Sequence, residues 1–239
     1  MWAIKLIDLV IPVYNDGKNL LELSKVLSRK VKYNLNLFIC YDKDNDDLFE
    51  YLPQIRETNL NIKLKKNLHQ GPCEAIKTGI FSGNSGCVIV YPADDFLNVN
   101  LINTMYEKYK GGFDIVVCSR FMKGGSMVGC PILKSIIVRF VSYSLFILSS
   151  IPVRDASNGL RMFSRKLINK VGIESKTGFA YSLELLVKAK KYNFNICEIP
   201  SQWEERTIGS SKFKIFKWSS QYLKWYFYGL YHSSIFKKK

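Results

Sequence analysis

Residues 87–95 read CVIVYPADD, an apolar run that passes directly into two aspartates. The same change from apolar to acidic occurs in LFICYDKDNDD, residues 37–47. Short continuous apolar runs bounded by turn residues are typical of strands buried on both faces of a sheet. Two such strands that end in carboxylates indicate a sheet whose polar groups gather at one edge.

The segments around these two runs alternate between strand and helix patterns. The predicted strands are residues 8–14, 35–41, 61–64, 87–91 and 114–119, and the predicted helices are residues 17–30, 47–57, 71–81 and 99–110. This alternation predicts an α/β fold with a mostly parallel central sheet and helices on both faces. Ligands of such sheets bind beyond the carboxyl ends of the strands, so we expect the functional site there.

The second half of the chain is less regular. Its predicted helices are residues 131–151, 181–192 and 211–231, and its predicted strands are residues 158–164 and 195–200. No internal repeat, low-complexity tract or linker separates the halves, so we predict one domain over residues 1–239. Within it we expect a nucleotide-binding half (1–119), an acceptor and diphosphate half (120–212) and a basic, aromatic C-terminal helix (213–239).

Composition narrows the class of protein. The chain has 239 residues, 47% of them hydrophobic, which suffices for one core without disulfides. Its six cysteines include no C-x-x-C pair, which favours a reducing compartment with buried thiols, and two histidines exclude a His-rich metal site. Asp8 interrupts the apolar N-terminal run, so we expect no signal peptide and a cytoplasmic protein.

Positive charge is concentrated in the C-terminal third. The formal net charge is +15, and residues 161–239 hold 16 Lys and Arg against 5 Asp and Glu. Such a balance indicates anionic partners, namely phosphates, acidic lipid or nucleic acid, with a merely solvated basic surface as the alternative. Because no nucleic-acid-binding motif occurs and the acidic strand ends would repel phosphate without a metal, we expect no nucleic-acid partner.

The aspartates at the strand ends can be interpreted in two ways. Carboxylates at this edge can accept hydrogen bonds from a nucleobase or ribose, and they can hold a hard divalent cation that bridges a diphosphate. The alternative is that these Asp and Asn residues only form the turns that follow strands.

Several short motifs, read in order, resemble those of the family 2 inverting glycosyltransferases, which include dolichol-phosphate mannose synthase and bacterial polysaccharide transferases. The motifs are IPVYND at 11–16, Asp42 and Asp46, the Gly71, Ala75 and Gly79 spacing, PADD at 92–95, Ser119, Arg120, Gly124 and Gly125, DASNGLRMF at 155–163, Glu184, and Glu198, Pro200, Arg206, Gly209, Ser211 and Lys212. The resemblance covers about residues 9–218. It implies a GT-A type fold, a nucleotide-diphosphate-sugar donor and usually Mg²⁺ or Mn²⁺.

The resemblance also implies roles for individual residues. The implied nucleotide- and donor-binding residues are Pro12, Tyr14, Asp16, Asp42, Gly71, Ala75, Asp94, Arg120 and Ser211. The acidic pair Asp94 and Asp95 would hold the metal. Arg206 and Lys212 would act catalytically, because cations near the β-phosphate stabilise the negative charge that grows on the leaving group.

Asp155 is the candidate general base, which a hydroxyl acceptor needs and a phosphate acceptor does not. An equally good interpretation is that Asp155 orients Asn158 or Arg161, or caps the chain. For Glu184, on a predicted helix among leucines, a salt bridge to a nearby arginine is the better interpretation.

Three positions depart from the family pattern. Asp16 replaces a glutamate, Pro92 stands where the family has the first Asp of D-x-D, and Asn158 and Leu160 alter the S-G-F segment. The Pro92 change weakens a two-carboxylate metal clamp. It motivates a rival hypothesis, a degenerate, non-catalytic protein that binds nucleotide sugars.

The apolar stretch near residues 132–151 suggests a membrane surface. Only 14 residues lie between Arg139 and Arg154, too few to cross about 30 Å of hydrocarbon as a helix. With Lys134 and Arg139 snorkelling, and with the Trp, Tyr and Lys of the C-terminal run, we expect interfacial helices on the inner face of a membrane. A core helix or a homo-oligomer contact is the alternative. The acceptor would be lipid-linked, such as polyprenyl phosphate, or a growing glycan.

Overall fold

A seven-stranded sheet forms the centre of the computed structural model, which describes residues 6–205 and 215–232. The strands are β1 Leu6–Val13, β2 Asn34–Tyr41, β3 Asn61–Lys66, β4 Cys87–Val90, β5 Ile115–Ser119, β6 Ser126–Val128, β7 Arg161–Ser164, β8 Ile196–Pro200 and β9 Gln202–Glu204. The large sheet has the order β3-β2-β1-β4-β7-β5-β8, and β6 pairs with β9 in a small parallel sheet. Neighbours in the large sheet are parallel except at β7, which runs antiparallel to both β4 and β5. The predicted mostly parallel α/β sheet is therefore confirmed.

Helices cover both faces of this sheet. They are α1 Gly17–Lys30, α2 Leu48–Arg56, α3 Pro72–Ser82, α4 Leu101–Lys110, α5 Ile132–Ser149, α6 Arg165–Val171, α7 Ala180–Lys191 and α8 Ile215–Tyr231. Successive side chains of β1 alternate between the faces, as strand geometry requires. Leu9 and Ile11 pack into the core that includes α1 and α4, whereas Val10 packs into the core that includes α3 and α7.

Gly79 allows α3 to approach the sheet closely. A Cβ at this position would lie 2.3 Å from Val10 Cγ1 and 2.9 Å from Cys40 Sγ, so a larger side chain would push α3 off β1 and β2. Pro72 occupies the first turn of α3, as the sequence predicted, where its missing N–H costs no helical hydrogen bond. The helix is thereby held tightly over the strands that carry the site.

The main departure from the predicted elements is at residues 158–164, where only Arg161–Ser164 form a strand. Asn158 Nδ2 donates to the carbonyl of Cys118 at 2.7 Å, and Asn158 Oδ1 accepts from Leu160 N at 3.0 Å. These bonds hold residues 158–160 in a turn, so they do not pair with a neighbouring strand of the sheet. The sequence interpretation also missed the short elements β6, β9 and α6, and its C-terminal helix starts at Ile215 among the described residues.

Candidate functional site

One edge of the sheet collects most of the residues proposed from the sequence. The parallel strands β1, β2, β4 and β5 all end at this edge, which places Tyr14, Asp42, the 92–95 loop and Arg120 along it. Because β7 is antiparallel, its amino end lies at the same edge, and so does the preceding Asp155 loop. The topology thus brings together segments that are far apart in the chain.

Asp42 forms the first cluster at this edge. Its Oδ1 accepts from Asn67 Nδ2 at 2.8 Å, and its Oδ2 accepts from Gly71 N at 3.0 Å. Gly71 precedes α3 with φ of 111°, a backbone conformation that a residue with a Cβ rarely adopts. Ala75 N bonds back to the carbonyl of Gly71 at 3.1 Å. Asp42, Gly71 and Ala75, three of the proposed donor-binding residues, are therefore neighbours.

The loop after β1 is pinned by the acids that follow β2. Asn15, with φ of 47°, donates its N–H to Asp46 Oδ2 at 2.9 Å, and Gly17 N donates to Asp47 Oδ1 at 2.9 Å. Asp46 is buried and also accepts from Leu48 N. Asp46 therefore holds two loops together, and Asp16, the residue before α1, lies in the loop that it fixes.

Two aspartates, Asp94 and Asp95, follow β4 in the loop at this edge. Asp95 accepts from Asn98 N at 2.9 Å and from Asn98 Nδ2 at 2.7 Å, and burial raises the pKa of its carboxyl group against those stabilising bonds. Asn98 in turn bonds to Gln202 through both its amide nitrogen and its amide oxygen. Asp95 thus ties the loop to β9, and both Asp94 and Asp95 are half-buried at the edge of the sheet.

The surroundings fit a divalent cation only in part. Within residues 6–205 and 215–232, no group of three or more His, Cys, Asp and Glu side chains converges on a point. Mg²⁺ is commonly held by one or two carboxylates plus substrate phosphates and water, and Asp94 offers one hard oxygen ligand of that kind. The metal role of Asp94 and Asp95 therefore stays a prediction, in which the hydrogen bonds from Asn98 would compete with the metal for the oxygens of Asp95.

Asp155 and Arg120 form a buried ion pair. Arg120 Nε donates to Asp155 Oδ2 at 2.7 Å and Arg120 Nη2 to Oδ1 at 3.0 Å, while the backbone N–H of Arg120 donates to Oδ2 at 3.1 Å. Oδ1 also accepts from Ser157 N, Ser157 Oγ and Asn158 N, each within 3.1 Å. The carboxylate is fully buried and accepts six hydrogen bonds.

These bonds bear on the proposed base. Burial alone would raise the pKa of Asp155, but the charge and hydrogen bonds of Arg120 outweigh it and hold the pKa below its usual value. A carboxylate stabilised in its charged form is a weak proton acceptor. The geometry favours the other interpretation raised from the sequence, in which Asp155 caps the chain at Asn158 and orients its neighbours.

Two further buried charges support the loops of this half. Arg161 is fully buried and donates to the carbonyls of Asn158 and Ser182, and burial lowers its pKa to about 10 in spite of nearby Asp155. Glu184 accepts from the backbone of residues 174 and 175 and pairs with Lys188 at 2.6 Å. The partner of Glu184 is therefore a lysine one helical turn away, where the sequence interpretation expected an arginine.

The remaining proposed residues are less constrained. Pro12 lies in β1 opposite Cys40 of β2, and Tyr14 is 44% exposed at the end of that strand. Arg206, Ser211 and Lys212 lie outside the described residues. The sequence interpretation missed Asn67 and Asn98. Asn67 directly follows β3, so the strand-end rule that identified Asp42 would have found it.

Comparison with known proteins identifies the family and the fold of the chain. The Glycosyl transferase family 2 sequence profile matches residues 8–172, well over half of the chain. The chain is 24% identical over 211 residues to a dolichol-phosphate mannosyltransferase of Pyrococcus furiosus, covering 87% of this chain and 59% of that protein. It is 27% identical over 168 residues to the putative glycosyltransferase CsbB of Bacillus subtilis, covering 69% and 50%. The chain thus spans only half to three fifths of these relatives.

Solved structures with the same fold include glucosyl-3-phosphoglycerate synthase from Mycobacterium tuberculosis in complex with UDP. It superposes with a TM-score of 0.65 at 12% identity, over 97% of this chain and 84% of that one. The same enzyme with Mn²⁺, UDP and glucosyl-3-phosphoglycerate gives a TM-score of 0.63, also at 12% identity, over 96% and 80% of the two chains. At such identity the likeness establishes the GT-A fold. With the family profile and the ordered site at the sheet edge, it leads to one conclusion: this chain belongs to glycosyltransferase family 2.

Proposed function

We propose that the protein is an inverting glycosyltransferase that moves a sugar from a nucleotide-diphosphate donor to polyprenyl phosphate or another lipid-linked or glycan acceptor. The observation that carries the proposal is the convergence of Asp42, Asp94 and the Arg120–Asp155 pair at one sheet edge in a family 2 chain. Relatives named dolichol-phosphate mannosyltransferase and polyprenol monophosphomannose synthase support the acceptor class.

In this proposal the donor lies across the carboxyl ends of the strands. Asp42 accepts a hydrogen bond from the nucleobase, with its carboxylate oriented by Asn67 and Gly71. Asp94 would bind the Mg²⁺ or Mn²⁺, whose charge supplies electrostatic stabilisation to the diphosphate when it is bound. Solved neighbours carrying Mn²⁺ or Mg²⁺ together with UDP support a divalent cation for this fold.

The transfer is a single displacement. An acceptor oxygen attacks the anomeric carbon, the bond from that carbon to the β-phosphate oxygen breaks, and the nucleoside diphosphate leaves with the electron pair. Arg206 and Lys212 would stabilise the charge that develops on the β-phosphate, Arg206 through bidentate contacts and Lys212 as a mobile point charge. A phosphate acceptor is already ionised and needs no base, which suits an Asp155 that is occupied by Arg120.

A second candidate function is a degenerate family member that binds nucleotide sugars without turnover. Two observations favour it: Pro92 replaces the first acid of D-x-D, and Asn98 occupies both oxygens of Asp95. Mg²⁺ sites commonly use one or two protein carboxylates, so the loss of the first acid and the competition of Asn98 for Asp95 would both weaken metal binding.

The test separates binding from transfer. Thermal shift with UDP-, GDP-, CDP- and dTDP-sugars, with and without Mn²⁺, identifies the donor, and labelled donor plus polyprenyl phosphate then measures transfer. We expect one nucleotide to stabilise the protein more in the presence of Mn²⁺ and to support transfer. Stabilisation without any transfer or donor hydrolysis would establish the degenerate binder, and no stabilisation by any donor would refute both functions.

We further propose that the protein works on the cytoplasmic side of a membrane as a peripheral protein. Lipid-linked acceptors keep their reactive phosphate at the membrane surface, so a peripheral enzyme can reach them without spanning. A homo-oligomer contact through the apolar stretch remains the alternative raised from the sequence.

A further inference from the structure

Helix α5 is amphipathic in the reverse of the usual sense. Its inward side presents Ser142 and Ser149 beside Leu145, and all three side chains are buried. Ser142 Oγ accepts from Ala156 N at 3.2 Å, and Ser149 Oγ donates to the carbonyl of Leu145. A soluble helix would turn its apolar residues inward and its serines outward.

The opposite side of α5 is apolar and exposed. At 100° per residue, six large side chains occupy about 120° of the helix circumference without an intervening charge. These residues, here called the outward face of α5, are Leu133, Ile136, Ile137, Phe140, Tyr143 and Ile147, and their exposed fractions run from 36% to 71%. So large a contiguous apolar patch marks an interaction surface.

Helix α8, which packs beside α5, adds a second exposed stripe. Tyr226 Oη donates to Ser144 Oγ at 3.0 Å, and Gly229 lies close enough to Leu145 that a Cβ would come within 3.2 Å of it. Leu223, Phe227 and Tyr231, spaced four residues apart, are 52–73% exposed. Two neighbouring helices therefore each leave an apolar stripe uncovered.

The charge of the two sequence segments that contain α5 and α8 distinguishes between a second copy of the chain and a membrane as the partner of the outward face. In the sequence, residues 115–154, which include α5, hold five Lys and Arg, and residues 206–239, which include α8, hold eight, and neither segment holds an Asp or Glu. Four of these cations pair with acids of adjoining segments, namely Arg120 with Asp155, Lys134 with Glu205, Arg154 with Glu198 and Lys224 with Glu174. With those four acids included, 13 basic residues still stand against four acidic ones. A two-fold contact would set the same basic surface against itself, which is repulsive. An anionic lipid surface is complementary both to the apolar stripe and to the basic groups.

Contacts along α5 determine its orientation to that surface. The sequence interpretation counted only the 14 charge-free residues after Arg139, but the whole helix Ile132–Ser149 has 18 residues and is long and apolar enough to cross a membrane by length and composition. It is nevertheless fastened to the domain at several points: Lys134 lies over the Trp203 ring, Arg139 lies 4.5 Å from the centre of the Phe121 ring, and Ser144 bonds to α8. A spanning helix would have to give up these contacts.

We infer that the outward face of α5 is a lipid-docking surface that lies in the plane of an anionic membrane. The outward face enters the acyl boundary, while Lys134 and Arg139 stay at the level of the headgroups. This inference deepens the proposed peripheral location by assigning it to particular residues. It also places the candidate functional site close to the membrane surface. Phe121 packs on α5, and the next residue back in the chain, Arg120, forms the ion pair with Asp155.

The test uses the full chain with phosphatidylserine-containing and neutral vesicles, at low and high salt. Phe140→Asp and Ile147→Asp place a charge on the outward face, and Phe81→Asp is the matched control because Phe81 is 57% exposed on α3. We expect each outward-face variant to lower partitioning into anionic vesicles by about tenfold or more and the control to bind like the wild type. All three should keep the wild-type melting temperature, because the replaced side chains are exposed.

Three results would overturn the inference. They are a full chain that stays in the supernatant with anionic vesicles at low salt, outward-face variants that still sediment like the wild type, and protein that resists extraction by alkaline carbonate, which would indicate a spanning helix. A dimer in light scattering that Phe140→Asp dissociates, without vesicle binding, would instead assign this face to a second copy. Donor-induced thermal shifts without vesicles report on the proposed function separately.

Discussion

Replacing Asp155 by asparagine distinguishes a structural carboxylate from a general base. The substitution keeps the size of the side chain but removes its charge and turns one oxygen acceptor into an NH₂ donor. Three donors of Arg120 and the donors of Ser157 and Asn158 now converge on this group. In the variant some of them face another donor, and the guanidinium of Arg120, whose side chain is only 10% exposed, loses its counter-ion.

The expected loss of stability is large. Removing one partner of a buried ion pair costs about 3–5 kcal/mol, because the remaining charge stays buried without compensation. For a domain of this size, 1 kcal/mol corresponds to about 2–4 °C, so the melting temperature should fall by about 6–20 °C. A base with no structural role predicts the reverse, a large loss of turnover at nearly unchanged stability.

The assay pairs urea denaturation with sugar transfer measured well below the melting temperature of the variant. Glu22→Gln is the matched control, because it removes an exposed pair with Lys25 and should change stability by less than about 1 kcal/mol. If Asp155→Asn unfolds at the wild-type urea concentration yet loses nearly all activity with a phosphate acceptor, the structural assignment is refuted and Asp155 is the base.

The pH dependence of stability adds an independent check. The pKa of Asp155 in the folded protein lies below its usual value of 3.8, so the pair stabilises the fold at any pH above that value. The contribution is lost as the pH falls through the lower folded pKa. We expect the stability gap between wild type and Asp155→Asn to stay constant from neutral pH to about pH 4 and to shrink below it. A gap that already closes near pH 6 would contradict the lowered pKa.

Four further substitutions test the site and the fold. Asp42→Ala should weaken binding of the donor nucleotide in calorimetry without lowering the melting temperature by more than a few degrees, and unchanged affinity would remove Asp42 from the nucleobase site. Asp94→Ala should abolish metal-dependent transfer, and full turnover at limiting Mn²⁺ would contradict the metal role. Arg206→Ala should lower turnover by about 100- to 1,000-fold, equivalent to about 2.7–4 kcal/mol; an unchanged rate with a large loss of melting temperature would make Arg206 structural. Gly79→Ala should destabilise the protein by about 1–3 kcal/mol, since the added methyl meets Val10. Thermal denaturation measures this, with Gly159→Ala as the control because the nearest side-chain atom lies 4.0 Å from its added Cβ; equal effects would refute the close-packing argument.

Much of the fold could be predicted because its signals are local. The continuous apolar runs of β2 and β4 and the alternation with helices are properties of consecutive residues, and backbone geometry converts them into buried parallel strands. The same locality explains why Asp42 and Asp94 could be placed at the ligand edge, since a residue that follows a parallel strand has nowhere else to lie. The short strands β6 and β9 carry too few residues to give a pattern.

The roles of the carboxylates depended on partners distant in sequence. Asp95 is bonded by Asn98, which is fixed by Gln202, 104 residues further on, and Asp155 is occupied by Arg120 across 35 residues. Neither pairing can be recognised from a short stretch of sequence. Asp94 and Asp95 look equivalent in PADD, so the sequence interpretation gave them the same role. Only the fold shows that Asn98 donates to both oxygens of Asp95.

The sequence by itself determined an α/β sheet with acidic strand ends, an ordered set of family 2 motifs and a basic chain with an apolar stretch near residue 140. Only the tertiary structure decided that β7 inserts antiparallel between β4 and β5, which carries the Asp155 loop to the ligand edge. It also decided which side of α5 is uncovered. A helix that is apolar on most of its circumference does not reveal its buried side, and here the space beside Ala156 and α8 accepts small serines and leaves the bulky side chains outside.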